Sequence, residues 1–156
     1  MLSGPAEFYV RPFKLGDLAE VYEIENNSFR EPWPKISFIV FHYKEPEGFK
    51  VAVSGDRIIG YSIVTTESTG KGQRKIAHLM NLAIRQEFRR RGIGRRLVEM
   101  AIDYGREKRA WKMELEVAIL NRAAVELYRM EGFTERRTIK GYYNNGEDAA
   151  VMEINL

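Results

Sequence analysis

A chain of 156 residues that is 44% hydrophobic has the size for one compact core and little room for a second, so a single domain over 1–156 is expected. It has no cysteine, which excludes disulfides, thiolate zinc sites and thiol nucleophiles; with no apolar run near the ~20 residues of a membrane span and no charged-then-apolar leader, a soluble, cytoplasmic protein is expected. The formal charge of +3, from 25 Lys+Arg against 22 Asp+Glu, is too small for a polycation that coats nucleic acid.

In chain order, a β-prone run from Phe8 to Arg11 leads through Pro12 to Asp17, which with Glu20 makes a capping box for a first helix. Leu18, Val21, Tyr22 and the stem of Glu25 recur in that helix at helical spacing. The prolines of Ser28-Phe29-Arg30-Glu31-Pro32-Trp33-Pro34 break the pattern into a rigid loop, and a second short helix follows around Ser37 to Tyr43. Phe49 to Val53 and Ile58 to Thr65 read as antiparallel strands joined at Ser54-Gly55-Asp56-Arg57. Glu67 to Arg74 is polar and Gly-containing, an exposed turn, and Ile76 to Ile84 is a further strand. Gly92 and Gly94 then open a helix with a core stripe of Ile93, Leu97, Met100/Ala101 and Tyr104. Met113, Leu115 and Val117 alternate with Glu114 and Glu116, a strand with one apolar and one acidic face. Asn121 caps the next helix and Gly132 closes it. Phe133 to Lys140 and Ala149 to Ile154 form a last pair of strands around Gly141–Gly146. The sum is an α/β chain: a mixed sheet with helices on its faces and no internal repeat.

Charge is concentrated in one tract. Arg85, Arg89, Arg90, Arg91, Arg95 and Arg96 stand within twelve positions, and Arg89-Arg90-Arg91-Gly92-Ile93-Gly94 sits between a strand and a helix. Glycines allow a tight bend that turns backbone N–H groups toward an anion, and the helix N-terminus adds about half a positive charge. A phosphate or diphosphate suits such a bend. The spacing is neither the dinucleotide fingerprint nor a P-loop. Taken alone, the tract is equally compatible with a solvated helix cap.

In context the tract resembles the Arg/Gln-x-x-Gly-x-Gly/Ala motif of GNAT acetyltransferases, and Asn81-Leu82-Ala83-Ile84 resembles the strand that enters it. Leu115-Glu116-Val117, Asn121, Ala124, Leu127-Tyr128 and Glu131-Gly132-Phe133 resemble, in order, the second half of the RimI-like subgroup, which acetylates protein N-terminal amines. Ser28 to Trp33 is similar to that subgroup's Phe-x-x-Pro-Trp loop, and Gly141 to Ala149 to the Tyr-Tyr-x-x-Gly-Glu-Asp-Ala segment of archaeal and eukaryotic N-terminal acetyltransferases. The resemblance covers nearly the whole chain. It implies the GNAT fold: a single mixed, mostly antiparallel sheet of about seven strands, helices on both faces, and a splayed central strand pair.

It also implies acetyl-CoA as co-substrate and no metal. The pantetheine arm would lie along Leu82, Ala83 and Ile84, and the diphosphate on Arg89, Arg90, Arg91, Gly92, Ile93, Gly94 and Arg95, with Asn121 and Tyr128 also contacting the co-substrate. The family's general base falls on Glu116 and its general acid on Tyr128; the lesser alternative for Glu116 is a strand-face carboxylate paired with an arginine, whereas Tyr128, taken without the resemblance, reads better as a core tyrosine. A carboxylate with an ordinary pKa of ~4.3 would have to act through water or with its pKa raised by burial. His78 ranks below Glu116 as an alternative base. The oxyanion donor would be a backbone N–H near Leu82 or Ala83.

Phe29, Pro32 and Trp33 on one side and Tyr142 and Tyr143 on the other supply aromatic walls for an extended peptide end, although Trp33 reads better as core packing. On a strand, Tyr142 and Tyr143 could not both face inward. Protein or peptide N-termini are the implied partners, ribosomal proteins among the candidates, with an auxiliary subunit or homodimer left open; neither nucleic acid nor membrane is expected. Three other readings stand beside this one: a GNAT enzyme acting on a lysine or a small amine, a nucleic-acid module whose arginines track phosphates, and a degenerate GNAT domain that binds CoA as a regulatory ligand without turnover, which the presence of Glu116, Tyr128 and both glycines argues against.

Overall fold

The computed structural model describes residues 7–70, 72 and 74–156. Along the chain it forms β1 (Tyr9–Pro12), α1 (Leu18–Ser28), α2 (Lys35–Lys44), β2 (Phe49–Ser54), β3 (Arg57–Ser68), β4 (Lys75–Ile84), α3 (Ile93–Glu107), β5 (Ala110–Ala118), α4 (Arg122–Met130), β6 (Thr134–Ile139) and β7 (Ala149–Asn155). The strands make one seven-stranded sheet in the order β1-β2-β3-β4-β5-β7-β6. The described pairings are antiparallel except that of β4 with β5, which is parallel. This is the mixed, mostly antiparallel architecture expected. No helix among the described residues is long and apolar enough to cross a membrane. Contacts gather the chain into two units, one from Met1–Thr65 and Asn81–Leu97, the other from Thr66–Met80 and Val98–Leu156.

The first unit is built on the β2–β3 hairpin. Ser54 pairs with Arg57, leaving a two-residue loop in which Gly55 takes φ 61°, a left-handed value that glycine reaches without strain. Every residue of β3 from Ile58 to Thr65 is buried, which explains why its apolar residues do not alternate with charged ones. Phe13 stacks on Phe49 with centroids 4.0 Å apart, and Phe38 of α2 meets Tyr61 edge-on at 5.8 Å. The capping box expected at Asp17 and Glu20 does not form. Asp17 instead accepts the Lys14 N–H at 2.8 Å and the Arg11 guanidinium at 2.7 and 2.9 Å, and Glu20 accepts the Ile58 N–H at 2.9 Å. Both acids tie α1 to strands that local sequence does not reveal.

In the second unit β5 keeps the alternation read from sequence, with Met113, Leu115 and Val117 buried and Lys112, Glu114 and Glu116 on the other face. Gly105 lets α3 approach: a Cβ there would lie 2.8 Å from Leu156 Cδ1 and 3.3 Å from Met113 Cε. The apolar stripe of α3 is wider than the expected one, since Val98 and Ile102 are buried as well as Ile93, Leu97, Ala101 and Tyr104. The turn expected from Glu67 begins later, because β3 runs on to Ser68; Lys71 and Gln73 of that stretch lie outside the described residues.

Candidate active site

The Gly-rich tract begins where β4 ends. Gly60 of β3 admits that end, since a Cβ there would lie 2.7 Å from Ile84 Cδ1 and 3.1 Å from the Ala83 carbonyl oxygen. Beyond it Arg90 adopts φ 60° and Gly92 φ 85°. The left-handed value costs a residue with a Cβ about 1 kcal/mol or more, so the bend at Arg90 is held by its surroundings. Helix α3 closes its first hydrogen bond from Arg96 N–H to Gly92 O at 3.1 Å, which leaves the amides of Ile93 and Gly94 ahead of the intrahelical ladder at the positive end of the helix dipole. The Ile93 side chain is buried against Ala52, Ile59, Ile84 and Leu97. It anchors the helix start while its backbone serves the bend.

The six arginines divide in two. Arg85 is buried, with Nε donating to Ile58 O at 2.6 Å and its terminal nitrogens to Glu23 at 2.7 Å and Glu20 at 3.3 Å. Its charge is neutralised inside the protein and is not offered to an anion. Arg89 donates from Nε to Ile84 O at 3.0 Å, which fixes the strand end. Arg90, Arg95 and Arg96 are exposed, and half-buried Arg91 lies over the Phe88 ring at 5.2 Å. These four provide the cationic rim of the bend.

Leu82 is half-buried and Ala83 and Ile84 are buried. The Leu82 N–H donates to its neighbour Asn81 Oδ1 at 3.2 Å, so of the Leu82 and Ala83 amides expected near a developing oxyanion, that of Leu82 already has a partner. Asn81 belongs to a network that the sequence reading missed. Its Nδ2 donates to Glu25 Oε1 at 2.7 Å and to the Tyr61 hydroxyl at 3.0 Å; Tyr61 donates to Glu25 in turn, and the Trp33 N–H donates to Glu25 Oε2 at 2.8 Å. Glu25 is 1% exposed. A carboxylate in an apolar helix stripe is stable only when so satisfied, and that misplaced acid was the available signal.

Glu116 and His78 meet in the second unit. The register Ala77↔Met113 and His78↔Glu114 puts His78 on the polar face of β5, and Glu116 Oε1 contacts His78 Nε2 at 3.0 Å while accepting the Tyr142 hydroxyl at 3.2 Å. Burial favours raising the Glu116 pKa, but the hydrogen bond and charge of His78, aided by Tyr142 and Arg137, outweigh it and hold the carboxyl below its ordinary value. For His78, burial works to lower the pKa, and Glu116 with Glu114 and Glu67 overcomes this to raise it. Of the two routes open to Glu116, action through water or a pKa raised by burial, the second is closed: the carboxyl is held below its ordinary range, and the proton on His78 is held more tightly in return.

Tyr128 is fixed by the end of α4. Asn121 caps that helix, accepting the Ala124 N–H at 3.2 Å. At the other end Gly132, at φ 105°, donates to Arg129 O at 3.1 Å and Phe133 N–H donates to Tyr128 O at 3.0 Å, the paired bonds of a Schellman motif. The motif's apolar contact is the edge-on meeting of the Tyr128 and Phe133 rings at 5.8 Å. The phenol is buried, makes no hydrogen bond among the described residues, and has its pKa pushed well above the ordinary range by burial and by nearby Tyr143.

Trp33 packs between Phe38 and Phe41, with centroids 5.9 and 5.3 Å away, as the core reading expected. Phe29 and Pro32 are half-buried in the same loop. Tyr142 and Tyr143 lie between β6 and β7 rather than on a strand, so strand alternation does not govern them. Their rings meet edge-on at 5.0 Å, and burial together with Tyr142, Glu116 and Glu147 raises the Tyr143 pKa to about 12. The loop is pinned by Gly141 N–H on Asp148 Oδ1 at 2.9 Å and by a turn from Tyr143 O to Gly146 N–H at 2.9 Å. No group of acids and histidines that could hold a metal occurs among the described residues.

The sequence and the fold are similar to those of known acetyltransferases. The sequence is 30% identical to an N-alpha-acetyltransferase of Sulfurisphaera tokodaii, over 96% of this chain and 94% of that protein. It is 31% identical to the [ribosomal protein bS18]-alanine N-acetyltransferase of Salmonella typhimurium, over 90% of this chain and 92% of that one. Among solved structures, the NatC complex bound to Gag peptide and CoA contains a chain that superposes with a TM-score of 0.89 at 26% identity, covering 96% of this chain and 99% of that chain. The model of the acetyltransferase (GNAT) family matches residues 18–133, and the chain belongs to that family.

Proposed function

We propose that this protein transfers the acetyl group of acetyl-CoA to the α-amino group of protein N-termini. The bend fits the co-substrate: Arg90 and Gly92 turn with left-handed φ, the space beside Gly92 is open, and amides and arginines together form a donor set for a diphosphate. When bound, acetyl-CoA supplies an activated acetyl thioester. Arg90, Arg91, Arg95 and the amides of Gly92, Ile93 and Gly94 hold its diphosphate, and Leu82, Ala83 and Ile84 lie along its arm.

The choice of amine rests on one observation, the contact of His78 with Glu116. It leaves Glu116 a weaker base than an ordinary carboxylate. A lysine amine, with a pKa of ~10.4, would tax such a base, whereas an α-amine near ~8 is already partly neutral, and one of its two protons becomes acidic once nitrogen bonds the acyl carbon while the other stays on the amide. Glu116 takes up that proton through water and His78 stabilises the carboxylate between turnovers. Tyr128, kept neutral by burial, donates a hydrogen bond where the thiol sulfur departs. Phe29 and Pro32 in the first unit and Tyr142 and Tyr143 in the second each supply stiff apolar surface suited to a peptide end, and Asn121 contributes to the co-substrate contacts. Relatives named for ribosomal protein bS18 and the peptide-bound NatC complex support a protein N-terminus as acceptor.

The test is acetylation of matched peptides with free and blocked N-termini, with the acetyl group located by mass spectrometry. Transfer is expected only to the free α-amine. Acetylation of lysine in blocked peptides overturns the reading.

A further inference from the structure

Strands β5 and β6 carry three cations, and two of them are occupied. Lys112 is held by Glu114 at 2.7 Å and Glu153 at 3.1 Å, and Arg136 by Glu153 at 3.0 Å. Arg137 is exposed and makes no ion pair or hydrogen bond among the described residues. The register sets it in one row with Glu116, since Glu116 and Arg137 both pair with Val151 of β7, and directly paired residues in antiparallel strands share a face. Strand spacing of about 4.8 Å puts their Cα atoms about 10 Å apart, a gap that a long arginine side chain shortens. The two groups sense each other: besides burial and the contacts of His78 and Tyr142, the charge of Arg137 acts on the Glu116 carboxyl. The loop that brings Tyr142 to Glu116 follows directly on Arg137's own strand.

An extended peptide advances about 3.3 Å per residue. With its amine at Glu116, its second or third side chain comes within reach of the Arg137 guanidinium. We propose that Arg137 is a specificity residue that favours N-termini with Asp or Glu at the second or third position. The assignment rests on the N-terminal reading above and deepens it.

The experiment measures kcat/KM on peptides that differ only by Glu or Gln at positions two and three, with the full-length enzyme and acetyl-CoA. The wild type should prefer the acidic member about fivefold at low salt, the scale of one exposed ion pair, with the preference shrinking as salt is added. Arg137→Gln should erase the ratio, Arg137→Glu invert it, and Arg137→Lys keep most of it. The ratio is insensitive to any general effect of these substitutions on Glu116. Equal use of both peptides by the wild type, or the same preference in Arg137→Gln, overturns the assignment alone. Failure of the wild type to acetylate any free N-terminus overturns the N-terminal reading and the assignment with it.

Discussion

The bend at Arg90–Gly92 and the cluster around Glu116 put their chemistry in different parts of the chain. In the bend the working groups belong to the backbone: left-handed φ values at two positions and amides ahead of the first hydrogen bond of α3. The neighbouring side chains anchor the turn, as Ile93 does, or rim it with charge. Around Glu116 the working groups are side chains, and the backbone only sets the register that brings His78 and Tyr142 to one carboxylate oxygen. The first kind of site tolerates many side chains but few backbone shapes. The second is the reverse.

The largest expected effect is on the side-chain site. Glu116→Gln should lower kcat by about 10² or more, the scale of a lost general base, with acetyl-CoA affinity by calorimetry within about twofold of wild type; a comparable loss of affinity would break the division. Gly92→Val is the counterpart in the bend. A β-branched residue at φ 85° is strained by about 1–2 kcal/mol, so KM for acetyl-CoA should rise about tenfold, more than kcat falls. Tyr142→Phe removes one of the two hydrogen bonds to Glu116 and should cost only a few-fold in kcat/KM, about 1 kcal/mol, seen as a shift in the acid limb of the pH profile rather than in acetyl-CoA binding.

The smallest effect is thermodynamic. The folded pKa of His78 lies above its ordinary 6.5, so its contribution to stability is full below that value and fades as pH rises through the folded pKa. Glu116 lies below its ordinary 4.5, so its contribution is full above that value and fades as pH falls through the folded pKa. The pair thus contributes most between those two ordinary values. Glu116→Gln should lower the melting temperature more in that window than at pH values above the folded pKa of His78, and NMR should show the His78 titration moving down. An unmoved titration would break the link between the two residues.

What could be read from sequence follows the same division. The bend is contiguous, and its strand, glycines and helix are visible within a dozen residues; the alternation of β5 and the caps of α4 at Asn121 and Gly132 are equally local. The partners of Glu116 are 38 and 26 residues away, and the acidic partners of Arg85 are 62 and 65 away in α1, so only the folded chain reveals them. That is why Arg85 reads from sequence as part of the basic tract when its charge serves the interior, and why a raised pKa stands open for Glu116. Asp17 and Glu20 misled in a similar way. Their spacing fits a local cap, but a guanidinium and an amide brought in by the sheet compete more strongly for the same oxygens.

Strand β6 stands at one margin of the sheet, where unpaired carbonyls and amides would ordinarily invite a second chain to zip on. Its six residues are nearly all exposed, its pairing with β7 is interrupted by a bulge between Glu135 and Arg137, and it displays charge from Glu135, Arg136 and Arg137. Such a kinked, ionic border makes a poor template for intermolecular strand addition, so crowding many copies together should not drive them into stacked fibrils from this side.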